Sequence, residues 1–300
     1  MTALYLDTTP RNKNAAQPEE TTQSPRRKIF KGINIPGGLL GIFWLAIVVI
    51  PLYWVLVTSF RTSQDFFTDA PLSIPSNPTL GNYGKVFESG FLTYFTNSVI
   101  VTLSAVIIIL FTALLASYAI VRSNHPVAKG MFSVILLGLA IPLQAAIIPI
   151  FYMMTEAKLY DSLLALIIPS AAFAIPITVV IMTNFLRDIP GSLFESMTLD
   201  GASNWSILWR LVVPLARPAL VTVAIYNGIQ VWNGFLFPLV LTQSPQVRVL
   251  PHALWAFQSE LTVDVPGVMA AVILSIVPIL TLYIFGRRQL IAGLTAGFGK

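Results

Sequence analysis

Residues 195–214 read Glu-Ser-Met-Thr-Leu-Asp-Gly-Ala-Ser-Asn-Trp-Ser-Ile-Leu-Trp-Arg-Leu-Val-Val-Pro and lie between two long apolar stretches of the 300-residue chain. Asp200-Gly201 predicts a turn, because glycine tolerates a positive φ and aspartate readily bonds the local backbone. Four apolar residues follow at helical spacing and predict one apolar stripe: Trp205, Leu208, Trp209 and Val212. We therefore expect two short helices with a bend at Gly201.

The ends of this segment also carry local signals. Ser192 and Glu195 fit a capping box that begins the first helix, and Pro214 and Pro218 turn the chain into the next apolar stretch. Physical features alone do not decide its role. The segment fits an inert interfacial loop and a partner-docking element equally well.

The rest of the chain has the composition of a membrane protein. Hydrophobic residues make up 55% and charged residues 10%, with a mean hydropathy of +0.77, whereas soluble domains are roughly 25% charged. A span needs about 20 apolar residues. Six uncharged stretches of that length predict an all-α polytopic protein with six transmembrane helices: 39–60, 97–121, 131–154, 163–186, 220–241 and 268–285.

The positive charges indicate orientation. Of the 18 Lys and Arg residues, all but Arg61, Lys85, Lys158 and Arg248 lie on the side of the N-terminus. We expect both termini in the cytoplasm, because positive charge accumulates there, and this bias explains the net charge of +5 without nucleic-acid binding. The predicted organisation is a disordered cytoplasmic tail (1–35), a six-span domain (36–286) and a cytoplasmic C-terminal tail (287–300).

Chemistry that would let the chain act alone is missing from its sequence. The six stretches hold no ionisable side chain of the kind that ion-coupled transporters keep in their spans. The chain also lacks cysteine, zinc-protease motifs and phosphate-binding glycine loops. We expect no catalytic residue, no metal site and no bound cofactor, so that any energy for transport comes from another chain.

The 195–214 segment resembles the signature E-A-A-x3-G-x9-I-x-L-P of permease subunits in binding-protein-dependent ABC importers. Glu195, Gly201 and Pro214 match it at the family spacing, while Ser196, Met197, Leu211 and Val213 depart from it. The resemblance implies a coupling helix between spans four and five that docks on an ATPase subunit. We call residues 195–214 the coupling segment. The implied contact residues are Glu195, Ser196, Met197, Asp200, Gly201, Trp205, Leu211 and Pro214.

The same resemblance implies partners. They are a second homologous permease, two ATPase subunits that bind ATP and Mg, and an extracytoplasmic solute-binding protein at the inner (plasma) membrane of a prokaryote. Four further stretches resemble the carbohydrate-uptake branch, and within it the smaller permease subunit of the maltose importer: 82–83, 97–98, 232–239 and 293–297. The implied cargo is a sugar or oligosaccharide. The alternatives are glycerol phosphate, a polyamine or an amino acid, an ion-coupled transporter, or a structural protein.

Span five carries the candidate translocation path. Tyr226, Gln230, Asn233 and Phe237 follow one another at intervals of three or four residues and should share one helical face. Hydroxyl, amide and aromatic groups suit a hydroxyl-rich solute, although polar groups in a span also bond neighbouring helices. The resemblance implies that the next outer loop, 242–266, reaches the binding protein. Its candidate contacts are Trp255, Phe257, Gln258 and Glu260.

Overall fold

A computed structural model describes residues 35–123, 125–254 and 264–296. These residues form helices and connecting turns, without a strand among them. The helices are α1 (Ile35–Ser59), α2 (Ser63–Thr68), α3 (Gly81–Glu88), α4 (Phe91–Arg122), α5 (Pro126–Leu137), α6 (Leu143–Glu156), α7 (Leu163–Arg187), α8 (Gly191–Leu199), α9 (Asn204–Ile207), α10 (Val213–Trp232), α11 (Leu236–Leu241), α12 (Leu250–Ala253) and α13 (Val265–Ala296). The chain divides into two units after Val48, within α1.

The predicted spans correspond to helices that differ in length and straightness. Within the described residues, four helical stretches are long and apolar enough to cross a membrane: α1, α4, α7 and the stretch Asn204–Trp232 that ends α10. A fifth is present if α5 and α6 are counted as one span. The protein is therefore an all-helical polytopic membrane protein. The predicted C-terminal tail begins with helix, because α13 continues to Ala296, whereas residues 1–34 lie outside the described part.

Span three is bent. It was predicted as one apolar stretch, 131–154, but α5 and α6 meet at an angle of 103°. Ile141 is extended (φ −82°, ψ 111°) and Pro142 is the N-cap of α6. A residue before proline disfavours the helical conformation, and proline has no N–H to donate, so this pair favours a break between the two helices.

Span five begins early and is broken. Helix α10 begins at Val213, ahead of the predicted 220, and ends at Trp232, and α11 resumes at Leu236. Gly234 lies in the break, where a Cβ atom would be only 3.1 Å from the carbonyl oxygen of Val231. The glycine lets the chain turn back closely over the end of α10, which residues with a side chain would obstruct.

The long helix α4 organises the packing. It contributes buried residues to each of the four apolar clusters that the described residues form. Two of these clusters position the site. The cavity cluster includes Val101, Ala105, Ile109, Leu166 and Phe237, and the knuckle cluster includes Leu114, Tyr118, Leu186, Phe194, Ile207, Leu208 and Val212.

Small residues let α4 approach its neighbour α7. Ala105, Ala113 and Ser117 of α4 and Ala165 of α7 are completely buried, and the hydroxyl of Ser117 donates to the carbonyl oxygen of Val179 at 3.2 Å. Helices in lipid associate through such close packing and polar contacts rather than through the hydrophobic effect.

A buried arginine holds the segment that joins α1 to α4. The side chain of Arg61 is fully buried, and its Nη2 atom donates to three backbone carbonyl oxygens: Ala70 at 2.7 Å, Ser73 at 2.8 Å and Pro71 at 3.3 Å. The amide of Asn82 donates to the carbonyl oxygens of Ser59 and Arg61 at 2.9 and 2.8 Å. These bonds satisfy backbone groups of a connection that forms little regular structure.

We predict that Arg61→Ala destabilises the protein strongly, because it removes the backbone hydrogen bonds of a fully buried guanidinium and takes that donor from the carbonyl groups of Pro71 and Ser73. The expected cost is on the order of 3 kcal/mol, and the segment 62–80 should become protease-sensitive. Thermal unfolding in detergent and limited proteolysis measure both effects. The control is Lys85→Gln, which breaks the 3.1 Å ion pair with Asp264 and should cost under about 1 kcal/mol. Equal losses in the two variants would contradict the prediction.

Coupling segment and candidate translocation cavity

The predicted bend at Gly201 is confirmed. Gly201 has a φ of +77°, a conformation that glycine adopts without steric cost. Its N–H donates to the carbonyl oxygen of Thr198 at 3.0 Å. The N–H of Ala202 donates to the carbonyl oxygen of Met197 at 2.9 Å. These bonds close the end of α8. Helix α9 then begins with a cap in which the Ser203 hydroxyl accepts from the N–H of Ser206 at 3.3 Å.

The predicted capping box at Ser192 and Glu195 is wrong. Helix α8 begins at Gly191 with Pro190 as its N-cap and no side-chain capping bond. Pro190 is extended (φ −56°, ψ 129°), and the backbone therefore enters the helix one residue before Ser192. The serine consequently lies within the first turn, and a capping box requires it at the N-cap.

The predicted apolar stripe is divided between two surfaces. Leu208 and Val212 are buried, whereas Trp205 is 57% and Trp209 is 42% exposed. The two indole rings contact each other edge to face, with centroids 5.6 Å apart. Residues Leu208–Val212 form a π-helix, whose wider turn shifts the register that a regular α-helix would keep. Leucine and valine therefore face the protein, while the tryptophans face outward.

From Glu195 to the bend at Gly201, the outer surface is polar apart from one largely exposed leucine. Glu195, Ser196, Asp200, Gly201 and Pro214 are exposed, and Met197 and Leu211 are half-buried. Leu199 directly precedes the bend and is 88% exposed, although sequence reasoning did not single it out. A leucine beside a turn dipeptide in a polar stretch is the signal that would have found it. Beside it lies an open depression with a volume of about 560 Å³. The depression is lined by Met197, Asp200, Gly201, Ala202, Ser203, Ser206 and Arg210.

Three of the four candidate path residues line one cavity. Tyr226, Gln230 and Phe237 face a space of about 300 Å³ between α6, α7 and the break after α10. Asn233 does not reach it. It is the C-cap of α10, its amide donates to the carbonyl oxygen of Ile229 at 2.9 Å, and it lines a separate cavity of about 180 Å³ with α12 and α13. The shared face ends where the helix ends.

The far wall of the cavity was not predicted. Ser170, Phe173, Ala174 and Ile177 of α7 line it, at the spacing of one helical face. Span four carries hydroxyl residues on more than one side, Ser170 on this face and Thr178 and Thr183 elsewhere. The sequence therefore does not distinguish the face that lines the cavity. Asn227 also borders the cavity, but it is buried and its amide donates to the Thr178 hydroxyl at 3.0 Å. It therefore joins α10 to α7.

The cavity offers flat apolar surfaces and a few polar groups. The rings of Phe173 and Phe237 meet edge to face at 5.9 Å, and Tyr226 and Gln230 bring a hydroxyl and an amide. None of the residues that line the cavity is charged. Aromatic faces with separate donors and acceptors orient uncharged polar molecules. In the part of the chain that the structure describes, no group of three or more metal-ligating residues occurs.

A carboxylate fixes the base of the loop after α11. Asp161, in the turn before α7, accepts hydrogen bonds from the N–H groups of Gln243 and Ser244 at 2.8 and 2.9 Å and from the Ser244 hydroxyl. These bonds, that of the Ser244 hydroxyl first, hold the pKa of Asp161 below its usual value. The proposed contacts Trp255, Phe257, Gln258 and Glu260 lie outside the described residues.

The fold and the coupling segment together define a transport permease. Residues 105–294 match the family described as "Binding-protein-dependent transport system inner membrane component", and the chain belongs to this family. The match includes both the coupling segment and the candidate cavity. It confirms the class of protein that the coupling segment indicated and a multi-pass location in the inner membrane.

Known proteins of this class resemble the chain over most of its length. An ABC transporter permease protein of Caldicellulosiruptor sp. (strain Rt8B.4) is 40% identical over 257 residues, which are 86% of this chain and 94% of the relative. The diacetylchitobiose uptake system permease protein NgcG of Streptomyces coelicolor is 31% identical over 85% of each chain. Among solved structures, a bacterial ABC transporter for import of the acidic polysaccharide alginate has a similar fold, with a TM-score of 0.74, 22% identity and coverage of 85% of this chain and 94% of that chain.

We predict that Gln230→Leu raises the solute concentration needed for half-maximal uptake by about two- to tenfold, because the cavity loses an amide that can bond the solute. Uptake kinetics in proteoliposomes measure the effect. Asn233→Leu is the matched control, since Asn233 lies outside the cavity and its substitution should leave this concentration nearly unchanged. If Gln230→Leu has wild-type kinetics, the amide serves helix packing.

Proposed function

We propose that this chain is a transmembrane subunit of an ATP-driven importer that moves a sugar or oligosaccharide delivered by an extracytoplasmic binding protein. The observation that carries the proposal is the uncharged cavity between α7 and α10, lined by aromatic rings and an amide, in a member of this family. The relative NgcG, whose name states diacetylchitobiose uptake, supports a carbohydrate cargo.

The proposed assembly contains this chain, a second homologous permease, two ATPase subunits and the binding protein. In this assembly the chain has six spans and both termini in the cytoplasm, so that the coupling segment lies on the ATPase side. ATP and Mg are bound by the ATPase subunits, and this chain catalyses no reaction. The outer loop that Asp161 anchors faces the binding protein.

Transport requires the chain to alternate between two states that the partners bind with different affinity. Closure of the ATPase dimer moves the coupling segment and opens the cavity outward, and ATP hydrolysis returns it inward. The breaks at Ile141–Pro142 and Asn233–Phe235 interrupt helices beside the cavity. Interrupted helices of this kind border the binding sites of many transporters and supply hinges there.

We predict that the chain, reconstituted with its permease partner, ATPases and binding protein, takes up a neutral oligosaccharide in a reaction that requires both ATP and the binding protein. Labelled uptake into proteoliposomes measures it, with diacetylchitobiose as the first probe and other neutral oligosaccharides as the panel. Uptake that continues without ATP and collapses with an ionophore would indicate ion coupling. Uptake of glycerol phosphate, a polyamine or an amino acid in place of sugars would overturn the cargo.

We also predict that Leu199→Asn weakens attachment of the ATPase subunits by about tenfold, because an exposed apolar residue at the bend is suited to fill a pocket of the partner. Copurification and titration of purified ATPase measure it. Folding of the chain should be unaffected, since Leu199 has few contacts to lose. Leu72→Asn, at a second exposed leucine in the segment between α1 and α4, is the control and should leave attachment unchanged. Wild-type attachment in Leu199→Asn would contradict the docking surface.

A further inference from the structure

The last turns of α4 contact both helices that border the Gly201 bend. Tyr118 and Arg122 are four residues apart and lie on one face of α4. The hydroxyl of Tyr118 donates to the carbonyl oxygen of Asn204, the first residue of α9, at 3.1 Å. The guanidinium of Arg122 lies over the ring of Phe194 in α8, 4.8 Å from its centroid. One helix end therefore fastens both sides of the bend.

The inner side of the bend is packed against the same helix end. Phe194, Ile207 and Leu208 are at most 3% exposed and share the knuckle cluster with Leu114 and Tyr118 of α4. The covalent route out of the bend is different. It passes through residues 188–190 to α7 and through the π-helix Leu208–Val212 to α10. Neither covalent route includes α4.

Helix α4 continues from the bend to the cavity. Closer to the N-terminal end of α4 than the knuckle cluster, Val101, Ala105 and Ile109 pack in the cavity cluster. This cluster also contains Phe237, which lines the cavity. A continuous packed route thus joins the bend to the cavity wall without passing through the break in span five. Packed elements of this kind transmit displacement because they do not deform continuously.

We propose that Tyr118 and Arg122 are positioning residues that carry movement of the coupling segment into α4, so that ATPase closure reaches the cavity through span two. The inference rests on the proposed function. Arginine suits the role, because its planar guanidinium stacks on an aromatic ring. The Tyr118 hydroxyl adds a second contact, because its hydrogen bond to the Asn204 carbonyl oxygen holds the first residue of α9.

The experiment measures solute molecules transported per ATP hydrolysed in the reconstituted complex. Arg122→Gln and Tyr118→Phe should each lower this ratio by about two- to fivefold, while the ATPase subunits stay attached and hydrolyse ATP. Arg122→Lys keeps the cation and should retain more of the ratio than Arg122→Gln. If Arg122→Gln reduces the yield of complex, Tyr118→Phe decides, because it removes one oxygen atom and leaves the packed ring.

The chain provides a matched control in a second cation–aromatic pair. The guanidinium of Arg187 lies over the ring of Phe132, 5.6 Å from its centroid, and Phe132 belongs to α5, which does not carry the coupling segment. Arg187 is the last residue of α7 and therefore lies on the covalent route from the bend. Because this pair joins α7 to α5 and not to α4, Arg187→Gln should leave the ratio at the wild-type value.

Three results would overturn the inference alone. The first two are wild-type ratios in both Tyr118→Phe and Arg122→Gln, and an equal loss in Arg187→Gln. Loss of ATPase attachment in both variants would also overturn it, since the contacts would then form the dock. A wild-type complex without ATP-dependent uptake would overturn the proposed function, and this inference with it.

Discussion

The close approach of α4 and α7 is the contact on which the other features of the structure depend. Completely buried alanine and serine residues line this interface, because association in lipid gains little from apolar burial and depends on intimate contact. The approach fixes α4 at the centre, where it contributes to each described cluster. It also places the cavity-lining face of α7 opposite α10, and Asn227 and Thr178 join those two helices by a buried hydrogen bond.

Interrupted helices border the cavity within this packed frame. A membrane tolerates free backbone groups only where they face protein or a water-filled cavity. The bend at Pro142 and the break at Asn233 and Gly234 both occur beside the cavity of about 300 Å³. Proline and glycine thus produce a site that six straight helices would not contain. The same break removes Asn233 from the cavity, since its side chain caps the end of α10.

Neither local nor through-space predictions succeeded throughout: the local bend is correct, the local capping box is wrong, and three of the four candidate path residues line one cavity. The Gly201 bend could be predicted because the glycine conformation is a property of two residues. The π-helix at Leu208–Val212 could not, because no local residue pattern distinguishes it from an α-helix. Its first and last residues pack into the knuckle cluster. The place of Phe173 in the cavity wall could not be predicted, because the sequence of span four does not distinguish one helical face. The exposure of Leu199 could not be predicted, because exposure depends on the fold. The sequence shows only that Leu199 directly precedes the turn dipeptide.

The two sides of the bend differ in exposure: apolar residues are open on the outer side and buried against α4 on the inner side. Outward, Leu199, Trp205 and Trp209 remain exposed, and exposed apolar surface of this kind is typical of interaction sites. Inward, Phe194, Ile207 and Leu208 are buried against α4. A docking element that moved freely would absorb the displacement of its partner, whereas one packed on its inner side passes that displacement on. In the proposed function, coupling needs both an open apolar outer surface and a packed inner side, and the helix end at Tyr118 and Arg122 supplies the packed side.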